Sequence, residues 1–478
     1  MLKSIHYWKP IFRRLSPIQI ILPLYSLLFL LVLFTFEGTG DAGDSIHHYL
    51  YARYAPYHPE LFFDHWAKPL YVLLAAPFAA FGFEGVKGMN ILASIGTAYF
   101  VFRSAQKLNL PGAWMASLIH AFSPLTFILT LSGLTEPLFA LFLSVALWAA
   151  LDKKYFLSVL LVSFLPFIRS EGLLLLGVFG VYLLLLKKWK LIPWLLTGHL
   201  VYSAAGYFVH HDILWVFTKI PYANAGSPYG SGRLMHFTEQ MIYVTGIPVY
   251  LLFWVGVLAL ITDFLRKKAK IAFVVLVAGG FFVFLVAHSL FWYYGIFNSM
   301  GLKRVMVGIS PLTSLIALSG FNTLTHWEWR RFPLFPRILQ YLLTAYILIF
   351  PFTGNPAALH PEKDLALSPD QKAARTVAQW IQIHVEGETC YFYAHPYLSM
   401  VLKLDHFDPS QRQNLVSDFR DRIKPGDILI WESWFSVVEC GISLDTLTGD
   451  PSLEKMYEWK GSGKTENIHY VVFRHKEK

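Results

Sequence analysis

Side chains capable of acid–base chemistry are concentrated in residues 37–87, directly after the first long apolar segment. Two carboxylates there, Asp41 and Asp44, could each accept the proton of an attacking hydroxyl group. Either could instead cap a helix that begins at Ser45. The same stretch carries candidate substrate-binding residues: Arg53, His65 and Lys68.

Further ionisable residues stand near the ends of later apolar segments, where a charge close to lipid costs about 2.5–3.5 kcal/mol. They are Glu136, Arg169, Glu171, Lys303 and Arg304. The two glutamates could bind an acceptor or interact with helix dipoles, and Arg169 could pair with Glu171 or a lipid headgroup. Lys303 and Arg304 begin an apolar segment, which favours phosphate binding for at least one of them over ordinary headgroup contact.

Asp44, His47 and His65 could together bind a divalent metal ion, although no metal-site spacing supports this. His47 and His48 are adjacent, so on a helix they would point to different faces. No cofactor is predicted to be required. A nucleotide site has no support either, because a Gly-x-Gly-x-x-Gly motif is missing from the C-terminal region.

The composition predicts a membrane protein. Of the 478 residues, 55% are hydrophobic and only 15% are charged, whereas soluble chains are about 25% charged. Basic residues form short clusters between apolar segments, the pattern of loops at a membrane face, which excludes nucleic-acid binding despite the net charge of +9.

The apolar segments predict about eleven transmembrane helices of roughly 17–25 residues each. They lie near residues 17–36, 88–102, 113–131, 137–151, 155–168, 173–186, 191–209, 241–262, 271–290, 305–320 and 338–352. Residues 69–82 are apolar but short and interrupted by Pro77, so we expect them on or partly within the outer leaflet.

The charge distribution predicts the orientation. With the N-terminus inside, the inner loops carry 18 Lys and Arg against three acids, as the positive-inside rule requires. The basic residues include Lys3, Lys9, Arg13, Arg14, Arg330 and Arg331. An odd number of spans then places the C-terminal region outside the cytoplasm.

The chain divides into a membrane domain, residues 1–354, with a catalytic outer loop at 37–87, and a soluble domain, residues 355–478. The soluble domain is predicted to be a small α/β fold, with a helix at Gln371–Val385 and an amphipathic stretch at Gln411–Ile423. Strands are expected at Cys390–Ala394, Asp427–Glu432 and Tyr470–Phe473. Cys390 and Cys440 could form a disulfide or remain two thiols.

Several short motifs resemble the GT-C superfamily of integral membrane glycosyltransferases, which includes protein mannosyltransferases and the aminoarabinose transferase of lipid A. They are the Asp after the first span, Tyr49-x-x-Ala52-Arg53, Lys68-Pro69-Leu70-Tyr71, Ser132 to Pro137, Arg169 to Gly172, and Gly301 to Arg304. The order of these motifs covers the membrane domain, and no single one is diagnostic.

The resemblance implies an all-α, GT-C-like membrane domain that transfers a sugar, hexose or mannose-like, from a polyprenyl-phosphate donor. It implies that Asp44 is the base, that Lys68 binds the carrier phosphate, and that the acceptor is a lipid, glycan or protein at the outer face of the bacterial inner membrane. Ser45 stands where many members have a second acid, which leaves Asp41 as the alternative base.

Two other classes of function remain open from the sequence. A transporter or lipid flippase would have ionisable residues midway in its spans, and the predicted spans have almost none. A membrane scaffold or sensor would bind partners through the soluble domain, and its loop carboxylates would be replaceable. The long loop 210–240 could be either a lid over the substrate or a plain connector.

Overall fold

The computed structural model describes residues 16–221, 226–227, 229–326 and 334–476. In these ranges, helices are the main elements as far as residue 352, and a five-stranded sheet lies in the C-terminal region. Several basic residues used to predict the orientation lie outside the described residues: Lys3, Lys9, Arg13, Arg14, Arg330 and Arg331.

Among the described residues, sixteen α-helices precede the C-terminal region. They are α1 (Pro17–Thr35), α2 (Asp44–Tyr54), α3 (Pro69–Ala79), α4 (Phe83–Lys107), α5 (Trp114–Ala121), α6 (Pro124–Thr130), α7 (Glu136–Leu151), α8 (Tyr155–Ser163), α9 (Gly172–Leu185), α10 (Thr197–His210), α11 (Trp215–Thr218), α12 (His236–Thr245), α13 (Ile247–Leu265), α14 (Gly280–Tyr294), α15 (Ser310–Thr325) and α16 (Phe335–Ile349). A π-helix, Phe273–Gly279, leads into α14, and a 3₁₀ turn, Lys303–Ile309, leads into α15.

Five helical segments among the described residues are long and apolar enough to cross a membrane: Pro17–Thr35, Ile247–Leu265, Phe273–Tyr294, Lys303–Thr325 and Phe335–Phe352. A sixth is obtained if α3 and α4, between which the chain bends by 119°, count as one broken span. The predicted number of about eleven is therefore not confirmed. Several expected spans, such as 113–131 and 191–209, are divided into shorter helical pieces.

Close helix packing holds α15, whose preceding turn carries Arg304. A Cβ atom on Gly320 of α15 would lie 1.9 Å from the Leu252 carbonyl oxygen of α13, and one on Gly256 would lie 1.9 Å from the Ile316 carbonyl oxygen. Only glycine permits two helix backbones to approach this closely. The pair fixes α15 against α13 and thereby the position from which Arg304 projects.

The C-terminal region is an α/β unit, as predicted. Its helices are α17 (Pro361–Asp364), α18 (Pro369–His384), α19 (Pro396–Leu402) and α20 (Leu444–Thr448). Its strands are β1 (Tyr391–Tyr393), β2 (Arg412–Asn414), β3 (Ile428–Glu432), β4 (Leu453–Lys460) and β5 (His469–His475). The strand order is β2-β1-β3-β5-β4, with β1 parallel to β2 and β3, and β5 antiparallel to β3 and β4.

Alternation along the central strand β3 builds a core on each face of the sheet. Ile428 and Ile430 belong to the cluster that includes α18, whereas Leu429 and Trp431 pack with residues of α20 and β5 on the opposite face. The expected helix at Gln371–Val385 corresponds to α18, and the three expected strands are β1, β3 and β5. Both cysteines are free thiols, so no disulfide joins them.

Two strands were missed in the sequence. Strand β2 lies within the amphipathic stretch Gln411–Ile423, and β4 is an edge strand with charged side chains at Glu454, Lys455 and Glu458. Edge strands expose one side and lack the apolar pattern of a buried strand. Neither strand carries the run of apolar residues by which β3 is recognised.

Candidate functional site

Arg304 connects the two carboxylates of the first outer loop. Its guanidinium donates hydrogen bonds to Asp41 through Nη1 and to Asp44 through Nη2. The arginine side chain is 14% exposed, and Asp44 is the more accessible carboxylate at 43%, compared with 25% for Asp41. The structure therefore brings together three of the predicted site residues, with one carboxylate open to solvent.

Asp41 and Asp44 hold different positions at the start of α2. Asp41 Oδ1 accepts a hydrogen bond of 2.8 Å from the Gly43 amide, whereas Asp44 is the first residue of the helix. The N-cap of α2 is Gly43, without a side-chain cap hydrogen bond, so the expectation that Asp41 or Asp44 is the N-cap is wrong. Asp41 instead accepts from the residue before the helix and binds Arg304. Asp44 Oδ1 has no backbone partner among the described hydrogen bonds, so this carboxylate is the freer of the two.

Ser45, the next residue of α2, is fully buried. Its hydroxyl donates to the Thr39 carbonyl oxygen at 2.6 Å and accepts from the Gly133 amide at 2.7 Å. A Cβ atom on Gly133 would lie 2.4 Å from the Ser45 carbonyl oxygen, so the approach requires glycine. This contact ties the carboxylate loop to the turn that precedes α7.

A second group of charges lies behind Arg304. Glu136 is completely buried, with Oε1 2.8 Å from Arg169 Nη1 and 3.7 Å from Arg304 Nε. Arg169 also donates to Glu171 at 2.8 Å and to the Thr135 hydroxyl at 3.0 Å. Glu136 therefore lies between Arg304 and Arg169, and it connects the Asp41 and Asp44 carboxylates, through Arg304, to the Arg169–Glu171 pair.

The charge of Arg169 controls the ionisation of Glu171. Burial raises the pKa of this carboxyl, but the neighbouring guanidinium outweighs burial and lowers the pKa to about 2. Glu171 is thus a carboxylate at neutral pH. Its pairing with Arg169 is the ordinary structural alternative considered from the sequence.

Buried hydrogen bonds hold the turn that presents Glu136. Asn90 Nδ2 donates to the carbonyl oxygens of Ser132 and Leu134 at 2.7 and 2.9 Å, and the Tyr71 hydroxyl donates to that of Gly133 at 2.5 Å. The donors come from α3 and α4, the two helices that meet at 119°. The bend therefore brings their side chains to the site.

Lys68, the residue before Pro69, is connected to the turn that carries Arg169 and Glu171 through a hydrogen bond to Ser170. Its backbone has φ = 71°, a strained conformation for a residue with a side chain, and proline at the next position disfavours the helical alternative. Nζ donates to the His65 carbonyl oxygen at 3.1 Å and to the Ser170 hydroxyl at 3.0 Å. Burial lowers the pKa of Lys68 to about 8.

Arg53 and His65 make contacts outside the carboxylate pair. Arg53 donates to the Ala80 carbonyl oxygen at 3.1 Å, and His65 Nε2 lies 3.1 Å from the Val216 carbonyl oxygen. No group of three potential metal ligands is found among the described residues, so Asp44, His47 and His65 are not assembled into a metal site.

The structure adds residues that the sequence did not suggest. His288 of α14 lies 3.7 Å from Glu171, and Ser170 provides the hydroxyl that binds Lys68. A histidine within an apolar helix was the available signal for His288. His47 and His48 both contact the Trp66 ring, at centroid distances of 5.6 and 5.1 Å, but their other ring neighbours differ: His406 for His47 and Tyr71 for His48.

Lys303 faces a cavity of about 290 Å³ that Asp41 also lines. Its Nζ lies 5.2 Å from the centre of the Tyr243 ring. Although adjacent in sequence, Lys303 and Arg304 therefore have different surroundings. Only Arg304 joins the carboxylate network.

The C-terminal region contacts the carboxylate loop directly. Gln371 of α18 donates to the Thr39 hydroxyl at 2.9 Å, and a Cβ atom on Gly43 would lie 3.3 Å from the Phe435 ring. Within the long loop 210–240, residues 222–225 and 228 lie outside the described part, but the Tyr229 hydroxyl donates to Glu439 at 2.8 Å. The site is thus bordered by both regions of the chain.

Comparison with known proteins identifies the fold. No protein-family model matches the sequence, and no curated protein does. Among solved structures, ArnT from Cupriavidus metallidurans bound to undecaprenyl phosphate matches with a TM-score of 0.63 over 94% of this chain and 97% of that chain. The chain has the ArnT fold.

The apo structure of the same ArnT also matches with a TM-score of 0.63, over 96% of this chain and 98% of the other. Both are 11% identical in sequence to this chain. ArnT is an aminoarabinose transferase with a GT-C fold, so the structural part of the predicted resemblance is confirmed. The ArnT fold includes the C-terminal region, because the match covers nearly the whole chain.

Proposed function

We propose that this chain is an integral membrane glycosyltransferase that moves a sugar from a polyprenyl-phosphate donor to an acceptor at the outer face of the bacterial inner membrane. The observation that carries the proposal is the pair Asp41 and Asp44 on one guanidinium, within a fold shared with an ArnT that binds undecaprenyl phosphate. The proposed orientation has the N-terminus inside and the C-terminal domain, residues 355–478, outside.

In the proposed reaction, a carboxylate takes the proton of the acceptor hydroxyl while the hydroxyl oxygen bonds to the anomeric carbon of the sugar. The bond from that carbon to the carrier phosphate breaks, and the phosphate leaves with the electron pair. Asp44 is the preferred base, because it is the more exposed carboxylate and lacks the backbone hydrogen bond of Asp41. A single displacement of this kind inverts the anomeric centre.

Lys68 and Arg169 are proposed to stabilise the carrier phosphate as its negative charge grows. Ser170 supports this assignment, because it lies next to Arg169 in the chain and accepts the hydrogen bond of Lys68. Glu136 is proposed to hold both Arg169 and Arg304 in place, and Glu171 is proposed to hold Arg169. No general acid is needed, because a phosphate is already a good leaving group.

The test is mass spectrometry of glycans and glycolipids from cells that express the native chain, Asp44→Asn, Asp41→Asn or no protein. We expect one sugar mass to disappear in the null cells and in Asp44→Asn at normal membrane levels. Asp64→Asn is the matched control, since this Asp in the same loop accepts the Ala67 amide at 2.8 Å and is not one of the carboxylates that pair with Arg304.

Other results would change the proposal in defined ways. Loss only in Asp41→Asn would move the base to that residue. A sugar lost in the null cells but retained in both Asn variants would refute the mechanism. Glycans that never change would refute the transferase activity and favour a transporter or a scaffold.

A further inference from the structure

Arg412 of β2 is a buried arginine without a carboxylate partner. The residue is 7% exposed, and its Nε is buried without a hydrogen-bond partner. Nη2 donates to the Tyr393 carbonyl oxygen at 3.1 Å, and the guanidinium carbon lies 5.1 Å from the centre of the Tyr393 ring. Arg169 and Arg304 pair with carboxylates, whereas no carboxylate among the described residues lies within 4.0 Å of Arg412. A cation buried in this way is costly until an anion binds it.

A second buried donor is His406, which is 6% exposed. The Tyr393 hydroxyl lies 2.7 Å from Ser399 Oγ, which in turn lies 2.6 Å from His406 Nδ1. Among the described residues the Tyr393 hydroxyl has no other acceptor, so it donates to Ser399, and Ser399 donates to Nδ1. The imidazole then carries its proton on Nε2. No acceptor for this N–H is found in the described ranges.

His47 of α2 brings the carboxylate loop to these donors. The centroid of its ring lies 5.4 Å from that of His406 and 5.6 Å from that of Trp66. Within the described part of the chain, its ring nitrogens form no hydrogen bond. His47 follows Asp44 by three positions in the same helix, so the two side chains are neighbours on its surface. The unpaired donors therefore lie next to the proposed base.

Both histidines are neutral at pH 7. Burial, and next the charge of Arg412, lower the pKa of His47 to about 4. Burial likewise lowers the pKa of His406 well below its usual value, with the same guanidinium as the second cause. Because Arg412 acts on both rings, the three side chains share one small region. They supply a single positive charge with several N–H groups, which matches a carboxylate better than a doubly charged phosphate.

The carboxylates near this group do not pair with Arg412. Asp44 is held by Arg304. Burial raises the pKa of the Tyr51 hydroxyl, Asp64 raises it further, and Arg412 lowers it. Neither Asp44 nor Asp64 is within 4.0 Å of the Arg412 guanidinium. The direct contact of an anion with Arg412 is therefore left for a ligand.

The proposed reaction places the sugar beside these side chains. The sugar is joined to the carrier phosphate, which is assigned to Lys68, and its anomeric carbon must reach the hydroxyl that Asp44 deprotonates. Trp66 precedes Lys68 by two positions, and its ring contacts that of His47. The indole offers an apolar surface for a sugar ring. A sugar that lies there extends from Lys68 towards His47 and Arg412.

We propose that Arg412, His406 and His47 form a subsite for a carboxylate group of the transferred sugar. The donor then carries an acidic sugar, of the hexuronic acid class, rather than the hexose or mannose that the resemblance implies. The sugar carboxylate accepts hydrogen bonds from the guanidinium and from the imidazole N–H groups. This inference rests on the proposed function and names the class of sugar, but binding at the subsite is measurable without transfer.

The test compares two soluble donor fragments that differ only at C6, glucuronic acid 1-phosphate and glucose 1-phosphate. Isothermal titration calorimetry on the purified full-length protein at pH 7 gives the Kd of each. We expect the native chain to bind the acid at least about tenfold more tightly, because charge-assisted hydrogen bonds form only with its carboxylate. Arg412→Gln should remove this preference, and Arg412→Lys should retain part of it. His47→Phe keeps a ring against Trp66 without an N–H and should reduce the preference.

Two further variants serve as controls. Lys68→Gln should weaken both fragments by the same factor, because their shared phosphate is what it binds. Arg422→Gln should change neither Kd, because Arg422 of the same domain pairs with Asp418 and contacts none of the three subsite residues. The Tm of each variant establishes that it is folded, and His47→Phe decides the matter if Arg412→Gln is not.

Three results would overturn the subsite. Equal Kd values for the two fragments in the native chain, or no binding of either, would refute the preference for an acidic sugar. A preference that survives in both folded variants, Arg412→Gln and His47→Phe, would refute the residues assigned to it. Displacement of glucuronic acid 1-phosphate by acetate at matched concentration would mean a site for any carboxylate and overturn the sugar assignment.

Glycan analysis in cells separates this inference from the proposed function. The sugar that disappears in Asp44→Asn cells should carry a carboxylate, detected as a gain in mass on methyl esterification. If that sugar is neutral or an amino sugar, the acidic-sugar subsite fails and the transferase stands. If glycans never change while the binding preference still depends on Arg412, the transferase proposal fails and the subsite stands.

Discussion

Replacing Arg304 by lysine should greatly reduce sugar transfer while preserving the positive charge. The guanidinium binds Asp41 and Asp44 through different nitrogens, and its Nε lies 3.7 Å from Glu136. An ammonium group is a compact point charge without this fork, so it would hold one carboxylate and release the other. One charge-assisted hydrogen bond contributes roughly 1.5–3 kcal/mol, which corresponds to a decrease of about 10- to 150-fold.

The assay is the rate at which the sugar mass appears in the glycolipid or glycan fraction after expression is induced, normalised to membrane protein level. Arg103→Lys is the matched control, because Arg103 donates to Tyr99 at 2.8 Å near the end of α4 and takes no part in the network. Arg304→Gln should be worse than Arg304→Lys, since it leaves the carboxylates without a cation. A native rate in Arg304→Lys at a normal protein level would refute the role of the fork.

Three further predictions follow from the site and the helix packing. Since the pKa of Lys68 is lowered to about 8, the lysine loses its charge above that pH, so kcat/KM should fall about tenfold per pH unit there. Lys68→Arg should remove this alkaline decrease in kcat/KM. A pH profile of kcat/KM that is the same in Lys68→Arg and the native chain would contradict phosphate binding by Lys68. Gly320→Ala should lower the Tm in detergent by the equivalent of about 1–3 kcal/mol, because its Cβ meets Leu252, whereas Gly177→Ala has open space and should not; equal Tm values would refute the packing argument. The product should have the inverted anomeric configuration by NMR, and retention would make Asp41 or Asp44 a nucleophile.

The apolar character and the C-terminal α/β unit were predictable because they depend on local composition and periodicity. Strand β3 is recognisable from the run at Ile428, and α18 from its spacing. The breaks within the apolar segments were not, because α5 and α6 are separated only by Phe122 and Ser123 before Pro124. Hydropathy averages over such a break and reports one span.

The site residues were predictable as types but not as partners. Asp44 and Arg304 are 260 positions apart, and they meet through tertiary packing, to which the close contact of α15 with α13 contributes. Lys303 carries the same charge next to Arg304, yet it faces the cavity. A charge pattern can therefore select candidate residues, whereas their pairing depends on the direction in which each backbone segment presents its side chains.

The C-terminal region is positioned to influence the chemistry of the carboxylate loop. The loop begins at Glu37, which pairs with Arg375 at 2.9 Å, and α2 ends near Tyr54, whose hydroxyl donates to the Leu404 carbonyl oxygen at 2.8 Å. Both ends of the segment that carries Asp41 and Asp44 are therefore attached to the same domain. Because Arg304 approaches these carboxylates from the membrane helices, their alignment depends on how the two regions are held together. We therefore expect the proposed sugar transfer to require the C-terminal region.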